Sequence, residues 1–266
     1  MSAVSTLKLS MDHARSILTI ELARPEQRNA MSLRMVEELR LALAQAGQEG
    51  LRGVVLRGQG GHFCAGGDVQ DMLQARQQAA TAAGDPYAAM NRAFGHLLQE
   101  ASRCPAVVIV VLEGAVLGGG MGLAAISDLA LAHQEAQFGL PETRLGLLPA
   151  QIAPFLRQRI GASATRRLAL FGLRFGAQEA CRLGLVHEVL ADAEALEQAL
   201  AQALEHLHLC APQANRQTKA LLQRMDTDLD AYLDHAASLF SQAVQSADGM
   251  EGGLAFMQKR RPQWAL

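Results

Sequence analysis

Two glycine-rich stretches carry the residue types best suited to chemistry in this chain. They are Phe63-Cys64-Ala65-Gly66-Gly67-Asp68 and, some way downstream, Gly114-Ala115-Val116-Leu117-Gly118-Gly119-Gly120. Glycine lets a main chain approach a ligand closely, and a helix starting just after such a turn leaves its first N–H groups unpaired and partially positive. Two turns of this kind aimed at one point would hold an anionic oxygen, and a thioester enolate is the kind of anion they would stabilise.

The elements that must position these turns are legible in the hydrophobic pattern. Val54-Val55-Leu56-Arg57 reads as a strand entering the first turn, and Leu123-Ala124-Ala125-Ile126 continues the second as an apolar helix. Further strand-like runs at Ser16–Leu22, Ala106–Leu112, Leu129–His133 and Leu185–Val189 alternate with helical patterns, which predicts an α/β fold. Ser32 is placed to cap a first helix whose Val36, Leu39 and Leu43 share one face while Glu37, Glu38 and Arg40 face water. The polar stretch between Asp71 and Glu100, with Gly84-Asp85-Pro86 inside it, is read as a flap, helical on both sides and mobile in its middle. Helices are predicted over Ser163–Phe171 and Ala177–Leu183, the second ended by Gly184 in a left-handed conformation. From about Glu194 the strand signals stop, and helices are predicted near Ala195–His208, Asn215–Gln223 and Leu229–Gln245. This divides the chain into a core of residues 1–193 and a helical C-terminal region of residues 194–266.

A chain of 266 residues, half of them hydrophobic, can bury a sizeable core. Its 24 basic and 26 acidic side chains nearly balance, which gives no footprint for nucleic acid. Cys64, Cys104, Cys181 and Cys210 are scattered without C-x-x-C spacing, so they read as reduced thiols rather than a disulfide framework or zinc site, and Cys64 as a packing residue. The longest apolar run, Ala106–Leu112, is too short to cross a bilayer, and Met1–Ser10 lacks the pattern of a targeting segment, so no membrane partner and a cytoplasmic location are expected. Three rival motifs fail on context. Gly120-x-Gly122-x-x-Ala125 satisfies the loose dinucleotide pattern, but Glu113–Gly119 separate it from the preceding strand. Asp226-x-Asp228-x-Asp230 imitates a calcium loop, with Ala231 and Ala237 standing where glycine and glutamate are needed. His206-x-His208-x-Cys210 has no second ligand cluster, and no metal is expected.

Read in order, Arg24-Pro25-Glu26-Gln27-Arg28-Asn29-Ala30-Met31-Ser32, the two turns, Phe138-Gly139-Leu140-Pro141-Glu142 and Phe256-Met257-Gln258-Lys259-Arg260-Arg261-Pro262 resemble the enoyl-CoA hydratase/isomerase (crotonase) family over nearly the whole chain. The resemblance implies a crotonase-like spiral of ββα units with a helical C-terminal trimerisation region, and hence a homotrimer or dimer of trimers. It implies an acyl-CoA substrate and no separate cofactor, since coenzyme A is part of the substrate. By matching position it places an oxyanion hole at the N–H groups of Ala65 and Gly119, and a catalytic carboxylate at Glu142 that moves a proton at the carbons next to the thioester. Cys64, Gly66, Gly67, Asp68, Met72, Gly118 and Gly122 would border the substrate, Asp68 as a structural residue closing its turn through the backbone. Further walls are expected from Leu73, Met90, Phe94, Met121, Leu140 and Ile152. Arg28, and Lys259 or Arg260 in the last helix, would meet the coenzyme A phosphates.

The family's straight-chain hydratases carry a second glutamate at the position filled here by Gly122. Two carboxylates hold and activate one water, whereas one suffices to shuttle a proton between carbons, so the departure favours an isomerase or a hydratase with an altered water site. A finer resemblance points to hydration: Leu145-Gly146-Leu147-Leu148-Pro149-Ala150-Gln151-Ile152-Ala153-Pro154-Phe155 is similar to bacterial hydratases of branched glutaconyl-CoA esters in leucine and acyclic terpene breakdown. An inactive relative kept as an RNA-binding or scaffolding subunit is disfavoured by the near-neutral charge and the intact turns.

Overall fold

The structure, a computed structural model, describes residues 5–78, 84–224 and 228–265. Its strands are β1 (Leu7–Asp12), β2 (Ile17–Leu22), β3 (Gly53–Gly58), β4 (Val107–Leu112), β5 (Ala115–Leu117), β6 (Leu129–His133), β7 (Gln137–Gly139), β8 (Arg174–Gly176) and β9 (Glu188–Leu190). Six of them make one sheet in the order β1-β2-β3-β4-β6-β9, parallel except for the β1/β2 hairpin, and β5, β7 and β8 make a second, smaller sheet. The fold is α/β, as the alternating patterns predict.

The central strands are apolar on both faces, which is why they read as unbroken hydrophobic runs rather than as alternation. Val54, Leu56, Val108 and Val110 enter the main core, together with Met35, Leu39 and Leu43 of α1 (Leu33–Gln48). Val55, Ile109, Val111 and Leu131 point the other way, onto Leu196, Leu200 and Leu207. Those three belong to α7 (Ala193–Leu209), so the first helix of the C-terminal region closes the sheet of its own chain.

Ser32 caps α1 as expected, its hydroxyl accepting the Met35 N–H at 3.2 Å. Glu38 departs from the expected solvent-facing side. It is buried, accepting the Ser5 N–H at 3.0 Å, the Thr6 N–H at 2.9 Å, the Thr6 hydroxyl at 2.6 Å and Arg34 Nε at 3.0 Å. Helical periodicity could not reveal this, because most of the donors arrive from a segment far away in sequence. Burial alone would raise the Glu38 carboxyl, but these donors reverse the effect and bring it down to about 2 from the usual 4.5. The resulting stabilisation is present above the unfolded value and is lost as pH falls through the folded one. Glu38→Gln is therefore expected to lower the unfolding free energy by about 1.5–3 kcal/mol at neutral pH. Urea titrations should show the gap to wild type closing as pH drops below 4.5.

The expected flap is partly described: α2 (Val69–Gln78) and α3 (Pro86–Ser102) flank it, with Asp85 accepting the Tyr87 and Ala88 N–H groups at 2.9 and 3.0 Å to cap α3. Residues 79–83, the middle read as mobile, lie outside the described residues. After α4 (Gly119–Ile126) come α5 (Ala153–Phe171) and α6 (Ala177–Arg182), the latter followed by Gly184 at φ +79°. The strand expected at Leu185–Val189 starts only at Glu188, because the N–H groups of Leu185 and Val186 are taken by the Ala180 carbonyl in the turn closing α6. Beyond α7, α8 (Pro212–Leu222) and α9 (Leu229–Gln245) fall where predicted, and α10 (Ala247–Met257) adds a helix that the pattern did not resolve.

The small sheet sets up the chemistry. β5 and β7 pair in parallel, Val116 opposite Phe138 and Leu117 opposite Gly139. The second glycine turn leaves one of these strands at the level where the Leu140-Pro141-Glu142 peptide leaves the other.

Candidate active site

The first turn is tied to β5 by an isolated parallel bridge. The Cys64 N–H donates to the Ala115 carbonyl at 2.8 Å, and the Leu117 N–H donates to the Cys64 carbonyl at 2.9 Å. Its other side is tied to the loop before α1: the Met31 N–H donates to the Gly66 carbonyl at 2.7 Å, and the Asp68 N–H to the Met31 carbonyl at 3.1 Å. In such a bridge the groups flanking Gly67 bond Met31, so Gly67's own N–H points the other way. Gly66 sits at φ +107°, a conformation that glycine adopts without steric cost.

This geometry corrects the expected donor. The Ala65 N–H is already donated to the Arg28 carbonyl at 3.0 Å and is not available to a substrate oxygen. Among the described residues, Gly67 carries the open N–H on this turn that points away from the bridge. Arg28 contributes through its backbone, at φ +49°, while its side chain is exposed beside the turn.

Asp68 closes the turn as expected: Oδ1 accepts the Gln70 N–H at 2.7 Å, and Oδ2 pairs with Arg24 Nη1 at 2.6 Å. A residue given no role from the sequence, Asn29, holds the same loop. It is fully buried at φ +56°, accepts the Arg24 N–H at 2.9 Å and donates to the carbonyls of Gln59 and His62 at 2.9 and 2.7 Å. The available signal was its place in the Arg-Asn-Ala string, since asparagine tolerates a left-handed backbone.

In the second turn the Gly118 N–H donates to the Gly139 carbonyl at 3.1 Å, at φ +48°. α4 starts at Gly119, and the Gly122 N–H is the first to find a helical acceptor, the Gly118 carbonyl at 3.2 Å. The N–H of Gly119 thus belongs to the helix's unpaired first turn. A Cβ placed on Gly118 would stand 3.0 Å from Glu142 Oε1 and 3.4 Å from the Gly66 Cα, so both turns and the carboxylate converge there. Met72 borders the same space, its Cε 3.1 Å from where a Cβ on Gly67 would lie.

Glu142 opens a short 3-10 turn running to Leu145. Its Oε2 is buried and has no hydrogen-bond partner among the described residues. Burial pushes the carboxyl above its ordinary 4.5. An ionised carboxylate so placed is a stronger base than one in water, and its unpartnered oxygen keeps the capacity to accept a proton.

Gly122 lies inside α4, where a Cβ would stand 3.1 Å from Leu98 Cδ1 and 3.3 Å from Phe94 Cζ. Hydrocarbon from α3 therefore occupies the room a second carboxylate would need. Gly120, Gly122 and Ala125 are all buried helix positions, so their dinucleotide-like spacing reflects close packing. Cys64 is fully buried under Gly120, and desolvation raises its thiol to about 11, so it packs behind the turn rather than facing a substrate. Met121 and Leu140 are likewise wholly inside the main core, and Leu73 is exposed, whereas Phe94 covers Gly119 and Gly122 as a wall.

Lys259 and Arg260 lie past the end of α10 instead of within it, because Gln258 caps the helix and Lys259 turns to φ +54°. Arg260 is clamped by both oxygens of Glu251, at 2.7 and 2.9 Å, which leaves Lys259 as the uncommitted cation of the pair among the described residues. Of the rival metal motifs, His208 faces Arg52 and Asp228 caps α9, while Asp226 lies outside the described residues.

Comparison with known proteins bears on this arrangement. The sequence profile of a family described as Enoyl-CoA hydratase/isomerase matches residues 12–265. A probable enoyl-CoA hydratase of Rhodobacter capsulatus is 32% identical, with 97% of each chain covered. The solved structure of Pseudomonas aeruginosa AtuE is 55% identical, superposes with a TM-score of 0.94, and is matched over 98% of this chain and 100% of that one. An enoyl-CoA hydratase/isomerase from Marinobacter aquaeolei is 50% identical, also with a TM-score of 0.94, over 98% and 99% of the two chains.

Proposed function

The chain belongs to the enoyl-CoA hydratase/isomerase family, and from that premise we propose that it adds water across the double bond of a branched enoyl-CoA such as isohexenylglutaconyl-CoA or 3-methylglutaconyl-CoA. The observation that carries the reading is the Glu142 carboxylate at the convergence of the two turns, Oε1 toward Gly118 and Oε2 buried with no hydrogen-bond partner among the described residues. The thioester oxygen sits between the N–H groups of Gly67 and Gly119. Glu142 takes a proton from water as its oxygen bonds the β-carbon, and the double-bond electrons move onto the thioester oxygen as an enolate. The enolate then collapses, and the proton held by Glu142 is delivered to the α-carbon, restoring the carboxylate. The branched substrate is supported by the Leu145–Phe155 string. It is also supported by the hydrocarbon at position 122, which leaves the enzyme one carboxylate and suits a substrate that brings its own.

The same hydrocarbon favours a second reading, migration of a 3-enoyl double bond to the 2-position with Glu142 as sole proton carrier. Incubation with crotonyl-CoA, 3-methylglutaconyl-CoA, isohexenylglutaconyl-CoA and a 3-enoyl-CoA, followed by mass and chromatography, separates the two. Selective gain of water by a branched glutaconyl ester is expected. Isomerised 3-enoyl-CoA with no hydrated product would replace hydration by isomerisation. A homotrimer or dimer of trimers is supported by the exposed Leu229, Leu233, Phe240 and Val244 on α9, and Lys259 and Arg28 remain the candidates for the coenzyme A phosphates.

A further inference from the structure

We propose that Arg92, held beside Gln151 and Asn91 at the outer part of α3, receives the distal carboxylate of a dicarboxylic acyl chain and sets the acyl specificity of the site. The inference rests on the glutaconyl reading above and names the residues that would select such a substrate.

Helix α3 presents Asn91, Phe94, Gly95 and Leu98 at the spacing of one helical face. Phe94 and Leu98 reach the positions of Gly119 and Gly122, at the start of α4. One turn earlier the same face becomes polar. Gln151, downstream of Glu142, donates from Nε2 to Asn91 Oδ1 at 3.1 Å and lays its amide oxygen against Gly95. Arg92 folds back over the same glycine, where a Cβ would stand 2.8 Å from Nη1. Glycine in a helix interior is less favourable than alanine because it gives up more backbone freedom. At Gly95, which is buried, the vacated volume is filled by these two polar groups.

Arg92 is uncommitted. Its one hydrogen bond is a long 3.5 Å contact to Gln151 Oε1, and it makes no ion pair among the described residues. A planar guanidinium with free donors matches a carboxylate in two-point geometry, and the Gln151 amide can take part in the same recognition. The distances agree in scale. One helical turn is about 5.4 Å, and the four bonds from thioester carbon to distal carboxylate in a glutaconyl chain span about 5 Å at ordinary carbon–carbon lengths. In this assignment the acyl chain runs from the Gly119 N–H past Phe94, which borders Gly119 and Gly122, toward the Arg92 and Gln151 groups that border Gly95 one turn away on α3.

Binding of saturated esters tests the inference independently of any reaction. Calorimetry would compare 3-methylglutaryl-CoA with isovaleryl-CoA, which shares the branch but lacks the carboxylate, for wild type, Arg92→Gln and Arg92→Lys. The diacid ester is expected to bind wild type at least ten-fold more tightly. That preference should collapse in Arg92→Gln and return in part in Arg92→Lys, with the isovaleryl ester moving far less. Equal affinity of wild type for the two esters, or an equal loss on both in Arg92→Gln, would overturn the assignment. Because neither ester has a double bond, failure of the hydratase reading would show only in the turnover assay, and failure of the Arg92 assignment only in this selectivity.

Discussion

Replacing Glu142 by Gln is expected to reduce kcat on the enoyl-CoA substrate by about 10²–10⁴-fold, the usual worth of a positioned acid–base group. Thermal stability at neutral pH should not fall. The amide side chain would keep the shape and the contacts of the 3-10 turn but could neither accept nor deliver a proton. The stability half follows from burial. The Glu142 carboxyl titrates above its ordinary 4.5 because its surroundings penalise the charged form and no donor among the described residues satisfies Oε2. A carboxyl raised in the folded state favours folding while it is protonated, and that contribution is lost as pH rises through the folded value. The Glu142→Gln variant should therefore match wild type below the ordinary carboxyl range and equal or exceed its Tm at neutral pH. The same shift places the acid limb of kcat/KM above 4.5, since only the ionised form can take the first proton. A variant with wild-type turnover would remove Glu142 from the reaction, and a large loss of Tm would assign it a structural role instead.

The second large effect is expected at a backbone group. Gly119 is the first residue of α4, a position where proline keeps helical geometry and where the N–H has no helical acceptor to lose. Gly119→Pro thus deletes one hydrogen-bond donor, the one proposed to meet the thioester oxygen. Gly119→Ala is the matched control, because it keeps the N–H and adds only a methyl group 3.3 Å from Phe94 Cζ. The proline variant should fall about 10²–10³-fold below the alanine variant in kcat, roughly 3 kcal/mol of transition-state stabilisation. Circular dichroism and Tm verify that both remain folded. If proline and alanine lose the same amount, crowding of Phe94 explains the loss and the Gly119 N–H is not a donor to the reacting oxygen.

Much of the frame was legible because its causes are local. Ser32 announced the start of α1, Gly184 the stop after α6, and the apolar run before Gly114 the central strand β4. Glycine turns, a proline-glutamate step and their order along the chain were enough to recognise the family. The errors share one origin. Glu38 was assigned to water because helical period places it beside Glu37, yet Ser5 and Thr6 arrive to bury it. Matching position in the family resemblance points to Ala65 as an oxyanion donor, yet the Arg28 carbonyl claims its N–H.

The sequence by itself determined that two glycine turns, a glutamate and an α/β frame would be present, since turn conformation, helix capping and strand patterning act over a few residues. Only the tertiary structure decided which N–H groups stay open and that Leu98 and Phe94 fill the room beside Gly122. It also decided that Glu142 Oε2 is buried without a partner among the described residues. Each of these depends on which distant groups come within a few ångströms, and hydrogen bonding, desolvation and steric exclusion are settled at that range.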